Sequence, residues 1–588
     1  MTILPVIALS AGVLILAYFT YGRLVARLLG IDASRPTPAC ELEDGNDYVP
    51  APAPVVLGGH FTAIAAAGPV VGPILAAQMF GWAPALLWIL VGAIFIGGVH
   101  DTGALLASVR HRATSITQVV REHMSRTAYL TFLLFVWISL IYVIIAFADV
   151  TAGTFAGFFV ETIPTATGER EVALNGGAVA IGATAYLLLS IVVGVLLRFT
   201  RTPWYVALAG AVILMALCIR TAPEIAGWLA THGLSFLDTR DQDPAALNKA
   251  WDQALLIYCF IASIVPMWLL LQPRGIIGAT FLYAALGFGV VGSLLGGWSA
   301  GGSLAINWPA FKGFSAADGT LLFPFLFITI ACGACSGFHS IVASGTTSKQ
   351  VRSEADIRPI GYGAMLLEAM VAVFALACVM VLAPGEKIGK PDTVYALGIG
   401  RFGALIHPDL FFFTVSFGLL AFSSFVFDTL DVCTRLGRYV FQELTGLSGI
   451  AGGAIATLCT LVAPAVYLWV SPPGSFRTFW IIFGTSNQLL AALTLVGVSV
   501  WLWRTGRPVW FALLPAGFMV ASTATALVLN FLSFLRSYRF PPPNVSNVTP
   551  FAVNMCIAAV LFLLAGLVVF EALRVWRQSR AAPAEMPG

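Results

Sequence analysis

The chain has 588 residues, of which 59% are hydrophobic and only 10% charged, and its formal net charge is +3. Soluble domains carry roughly 25% charged residues, so the composition excludes a soluble protein with a single anchor and indicates a polytopic membrane protein. No basic and aromatic cluster marks a nucleic-acid surface, and the nine cysteines are scattered rather than arranged as a disulfide framework.

Met1 to Pro5 lacks a basic stretch, and the first apolar run ends in Tyr21-Gly22-Arg23. It reads as a retained first helix, not a cleaved leader. Apolar segments follow near 60–80, 82–109, 128–160, 177–197, 203–219, 253–272, 275–297, 321–344, 360–384, 409–433, 448–470, 478–502, 508–532 and 551–573. With 4–29 these predict an all-α transmembrane bundle of about fifteen helices, each able to cross a hydrocarbon core of roughly 30 Å. The segment 128–160 is long enough to hide a re-entrant piece. No soluble domain interrupts the series. The chain divides into a core, 1–385, and a second stretch, 386–588, of about five helices and a short tail.

Charge placement orients the bundle. The loops after odd-numbered helices, with the carboxyl tail, hold most of the 31 Lys and Arg. The richest contains Arg110, Arg112, Arg121 and Arg126, whereas the loop from Ala222 to Asp252 is acidic. Positive charge stays cytoplasmic, so the amino terminus is expected outside and the carboxyl terminus inside.

Two segments are broken. In the second helix Gly58-Gly59-His60-Phe61 leads into Gly68-Pro69-Val70-Val71-Gly72-Pro73. An internal proline removes a backbone hydrogen bond and glycine weakens the helix further. The freed carbonyls are tolerated only inside protein or beside a water-filled cavity. In the ninth helix small and hydroxyl residues run from Cys332 to Thr347, with His339 among them. Seven helices separate the two, so they cross in opposite senses. Paired interruptions of this kind mark the binding sites of inverted-repeat transporters; close packing of small residues is the alternative. The Cys332-Gly333-Ala334-Cys335 motif reads as helix packing rather than redox or metal chemistry.

These stretches, continued through Ile74-Leu75-Ala76-Ala77-Gln78-Met79 and to Lys349, resemble the carbon starvation protein A family of bacterial inner-membrane transporters. The resemblance extends to Asp44-Gly45-Asn46-Asp47-Tyr48-Val49-Pro50, Gly361 to Glu368, Asp431-Val432-Cys433-Thr434-Arg435 and Phe483-Gly484-Thr485-Ser486-Asn487-Gln488. It implies uptake of peptides or pyruvate-like monocarboxylates driven by an ion gradient. It also implies a distant relation to amino acid–polyamine–organocation transporters with their inverted repeats. Where the family often reads Gly-His-His-Phe, this chain has Gly58-Gly59-His60-Phe61, so a role needing paired histidines is not expected.

Five carboxylates fall inside predicted spans: Asp101, Asp149, Glu368, Asp428 and Asp431. A central charge costs about 2.5–3.5 kcal/mol on insertion scales, so such groups face a cavity or a partner. Asp101, Glu368 and Asp431 are the candidate ion-coupling residues. For Asp431 an ion pair with Arg435, one turn on, is the structural alternative. Substrate is expected between helices two and nine, against His60, Gly68, Pro69, Gly72, Ser336, His339, Ser344, Thr346 and Thr347. Asn487 and Gln488 are either further substrate contacts or inter-helix polar contacts. Lys349 either attracts an anionic substrate or snorkels to the interface.

The leading reading is therefore an ion-coupled importer of small peptides or monocarboxylates in a bacterial inner membrane. It is not an enzyme and needs no cofactor, and its partners are its solute, a coupling ion and the bilayer. The alternatives are a haem- or quinone-linked membrane enzyme, with His60 and His339 as axial ligands, and a nutrient sensor.

Overall fold

The computed structural model describes residues 2–45, 48–65, 67–165, 168–240, 242–297, 304–382, 390–474, 476–541 and 548–581. Asn46 and Asp47 of the first family-like block, and the division at 385, lie outside them. The first half comprises α1 (Leu4–Leu29), α2 (Ala53–Ile64), α3 (Gly68–Phe80), α4 (Trp82–Arg110), the short α5 (Ile116–His123) and α6 (Arg126–Ala156). After a hairpin come α7 (Gly176–Phe199), α8 (Trp204–Thr231), α9 (Pro244–Ile264) and α10 (Leu271–Gly297). Next are α11 (Leu322–Thr329), α12 (Phe338–Val342), α13 (Glu354–Met380), α14 (Pro391–Ile406) and α15 (Leu410–Thr445). The last four are α16 (Gly449–Val470), α17 (Phe476–Arg504), α18 (Trp510–Arg539) and α19 (Thr549–Ala581).

Among the described residues twelve helices are long and apolar enough to cross a membrane, or thirteen passages with the bent pair α2–α3 counted as one broken span. Two more segments pack along these helices. One is α9, packed along α6, α15 and α16; the other is α11 with α12 and its continuation. Counted with these two, the described residues come near the count of about fifteen helices expected from the apolar segments of the sequence. Among the described residues the fold is all-helical except for one antiparallel hairpin, β1 (Phe158–Thr165) with β2 (Gly168–Asn175), at the end of the bundle opposite Arg110. The two ends are termed the hairpin face and the Arg110 face.

Three sequence expectations are corrected. The long run 128–160 hides no re-entrant piece, because α6 is one continuous helix of 31 residues. The sixth span does not end near 219 but continues to Thr231, so Ala222 and Glu224 belong to the helix. Hydropathy also passes over α14, whose apolar run is diluted by Asp392, Gly398, Gly400, Arg401 and Gly403. It adds no passage. Asp392 accepts a hydrogen bond from Thr154 near the end of α6, and Arg401 reaches the Val381 carbonyl just beyond α13, so both ends stay in the hairpin half.

The two interruptions lie where proline and glycine place them. Helix α2 stops at Ile64 and α3 restarts with Pro69 in its first turn, at a bend of 42°. A free amide hydrogen is not needed at that position, which makes it the cheapest place for proline. In the ninth passage α11 ends at Thr329 and α12 begins at Phe338. The two broken passages run antiparallel and their breaks pack on each other. A Cβ on Gly72 would lie 2.5 Å from the Thr329 carbonyl oxygen, so only glycine permits this approach.

Candidate functional site

Three helices that border these breaks contain a π-helical turn: Ala93–Gly97 in α4, Ala343–Thr347 continuing α12, and Arg358–Gly363 in α13. Such turns insert one residue and rotate the helix beyond them, and they are frequent at functional sites. The first is followed by His100 and Asp101, the second contains Thr346 and Thr347, and the third leads to Glu368.

The side chains around these turns converge. His339 Nδ1 lies 2.8 Å from Asp101 Oδ2, and its Nε2 lies 3.2 Å from Glu368 Oε2. His100 Nδ1 is 2.7 Å from the other Asp101 oxygen. All four side chains are 0% exposed. Two carboxylates this deep would be strongly unfavourable without compensation, and here one imidazole separates them while another backs Asp101. Neither oxygen of Glu368 makes an aligned hydrogen bond among the described residues. The sequence singled out Asp101, Glu368 and His339 separately; the structure joins them.

His60 stands beside this cluster, on the last turns of α2. Its Nδ1 is 2.9 Å from the Thr347 hydroxyl, and its Nε2 has no hydrogen-bond partner among the described residues. Asp101 and His339 are within electrostatic range of its ring. His60 also lines a cavity of about 430 Å³, together with Gly59, Thr346, Thr347, Gln350 and Asp428. The cavity wall continues along Val49, Ala51 and Pro52. Val49 and Ala51 pair with Lys349 and Gln350 at the Arg110 face, so the cavity opens there.

The remaining expected substrate residues divide by position. Gly68, Pro69 and Gly72 form the contact between the breaks: Gly68 meets Cys332, and Pro69 meets Gly333. Ser344 bonds the Ser340 carbonyl and Thr346 the Val342 carbonyl, both within their own helix. Ser336 exchanges hydrogen bonds with Asn487. Asn487 Oδ1 also accepts from the Phe338 amide at 2.9 Å, capping α12, while Gln488 Nε2 donates to the Phe327 carbonyl at 3.0 Å near the end of α11. The two amides of α17 thus satisfy backbone groups that the break releases. Lys349 lies over the rings of Tyr48 and Tyr439 at the Arg110 face.

Asp431 does not pair with Arg435. Its partner is Arg274 at the start of α10, which also holds Asp428 at 2.5 Å. Tyr258 donates to Asp431 at 2.7 Å, and Tyr186 lies 3.2 Å from Asp428. Arg435 turns away to the carbonyls of Ala262 and Val265, which Pro266 leaves without a helical successor. The cause is burial: Arg274 is 1% exposed and needs both carboxylates, whereas the orphaned carbonyls at the end of α9 need a cation. Sequence reasoning missed Arg274, Tyr186 and Tyr258. Gln272-Pro273-Arg274-Gly275 looks like a loop by composition, and the carboxylates alone stand out in the spans.

The model of the family "Carbon starvation protein CstA" matches residues 2–394 and 388–526. The chain belongs to the CstA family. A CstA relative, "Peptide transporter CstA" of Bacillus subtilis, is 29% identical over 646 residues and covers 100% of both chains. The Mycobacterium tuberculosis protein of that name is 32% identical over 570 residues, covering 83% of this chain and 70% of its own. "Pyruvate/proton symporter BtsT" of Escherichia coli is 29% identical over 636 residues, covering 90% and 81%. Among solved structures, a manganese transporter variant of Eremococcus coleocola aligns over 91% of this chain and 99% of its own, with 13% identity and a TM-score of 0.44. That likeness is too loose to carry an argument. As a CstA-family chain with these apolar passages, the protein is a multi-pass membrane protein.

Proposed function

We propose that this protein is a secondary transporter that imports a small carboxylate-bearing solute, a short peptide or a pyruvate-like monocarboxylate, with proton coupling. The observation that carries the coupling is the Asp101–His339–Glu368 arrangement. His339 meets each carboxylate through a different ring nitrogen, so a proton accepted on one side of the ring is matched by release from the other. The cluster lies beside the two breaks, where a rearrangement of either passage would change its access to water. Relatives named as a peptide transporter and as a pyruvate/proton symporter support this reading.

The solute would enter the cavity bounded by His60, Thr346, Thr347 and Gln350. His60 lines that wall, and its buried Nε2, without a hydrogen-bond partner among the described residues, would be able to donate to a carboxylate once the break rearranges. About 430 Å³ accommodates either a dipeptide or a three-carbon acid. The charge of its loops supports a cytoplasmic Arg110 face, and its Escherichia coli relatives support the bacterial inner membrane as its place. The cavity then opens inward, as a carrier stands after releasing its solute. The haem alternative is disfavoured by the same geometry: both nitrogens of His339 face carboxylates, so the ring presents neither to an iron.

The test is uptake into proteoliposomes of labelled pyruvate and of a labelled dipeptide, with and without an inward proton gradient. Gradient-stimulated accumulation of either one supports the proposal and names the solute. No stimulation of either by a proton gradient overturns the coupling.

A further inference from the structure

At the Arg110 face, away from the cavity, the loop between α4 and α6 brings together three side chains that the transport reading does not use. His111 follows the last residue of α4, and Glu122 and His123 close α5. His111 Nε2 lies 2.8 Å from His123 Nε2 and 3.6 Å from Glu122 Oε2. One ligand atom from each falls within 4.8 Å of the others.

The protonation of the pair is set by its neighbours. His111 Nδ1 is 2.6 Å from the Ala107 carbonyl oxygen, which can only accept. The hydrogen of neutral His111 is therefore on Nδ1, and the lone pair of Nε2 faces His123. A backbone carbonyl that holds the far nitrogen is the usual second contact of a metal-ligating histidine, because it fixes the tautomer and the ring plane. Trp501 of α17 lies edge-on to His111, with ring centroids 5.9 Å apart, and limits rotation of that ring. Arg504 is close enough to act on His123 electrostatically, and the Glu122 carboxylate lies on the His111 side of the pair. The Glu122 side chain is 49% exposed, so the cluster is reached directly from the aqueous phase.

We propose that His111, Glu122 and His123 form a surface binding site for a divalent transition-metal ion of the zinc, nickel or copper class. Two imidazoles and one carboxylate are the donor set those borderline ions favour over magnesium or calcium. A three-residue set leaves a fourth position for water. Tetrahedral ligands at about 2.0–2.1 Å from the ion require the two ring nitrogens to separate slightly, which the exposed end of α5 permits. The bound ion would tie the end of α4, the helix that carries Asp101, to α5.

The experiment uses the full-length protein in detergent, without a histidine tag, stripped by chelator and titrated with Co²⁺ alone. One equivalent of Co²⁺ should bind with visible ligand-field bands. H111Q and H123Q should each abolish those bands, and E122Q should weaken the binding, while the metal-free variants keep the wild-type gel-filtration profile and unfolding midpoint. Because H111Q could disturb the end of α4, Cu²⁺ spin resonance on the unmodified chain is the second measurement. Couplings from two imidazole nitrogens are expected. Binding retained in H123Q, thiolate-type spectra from the nine cysteines, or no uptake tighter than about 1 mM would overturn the site.

Discussion

His339 Nε2 stands 3.2 Å from Glu368 Oε2, on the side of the ring opposite the nitrogen that meets Asp101. A buried imidazole held between two carboxylates has little freedom to reorient, so changing either acid alters what the ring can donate to. D101N and E368Q should each abolish gradient-driven accumulation, by at least about 100-fold if a general acid–base step is lost. Exchange of solute across the membrane at equal concentrations should persist in part. Counterflow and accumulation assays on the same vesicles check this, and unchanged accumulation in both variants removes the cluster from coupling.

Arg274 holds two carboxylates in the interior, and removing it leaves both without a counter-charge. R274M should destabilise the fold by about 3–5 kcal/mol, the usual effect of breaking a buried pair from one side. The triple variant R274M/D428N/D431N should recover most of that loss, because no unpaired charge remains. Thermal unfolding followed by fluorescence-detected gel filtration compares the three proteins. A triple variant as unstable as R274M would mean that packing of the guanidinium, not charge, is what matters.

The two breaks touch through Gly72 and Thr329. A Cβ at residue 72 would meet the Thr329 carbonyl oxygen at 2.5 Å, and backbone on both sides limits relief. G72A is expected to cost about 1–3 kcal/mol, as overpacking does, and to depress transport. G12A, where nothing lies within 4 Å of the new methyl group, is the matched control and should be silent. Unfolding midpoints and initial uptake rates give the comparison.

Orientation is tested by labelling. Cys40 and Cys556 are exposed and should first be replaced by serine. In that background A245C, on the hairpin face, should react with an impermeant maleimide in intact cells. R121C, on the Arg110 face, should react only after permeabilisation. The reverse pattern would invert the topology.

Several features are legible in the sequence because they are local. The breaks at Gly68-Pro69 and around Cys332-Gly333 come from residue chemistry, and Asp101, Glu368 and His339 stand out as polar groups in apolar runs. Asp431 and Arg435 mislead for the same reason: spacing along one helix suggests a pair that a residue 157 positions away supplies instead. Helix α14 escapes notice because its glycines, which let it pack against Thr414 and Val415 of α15, dilute its hydropathy.

The sequence by itself determined that this chain lives in a bilayer, crosses it about fifteen times and breaks two of its passages, because hydrophobic length and proline chemistry act within a few turns. Only the tertiary structure decided that His339 separates Asp101 from Glu368, that Arg274 serves Asp428 and Asp431, and that Asn487 caps the break rather than facing the cavity. Each of these depends on helices distant in sequence meeting at one depth, with buried charges and freed backbone groups finding whichever partner the packing brings within reach.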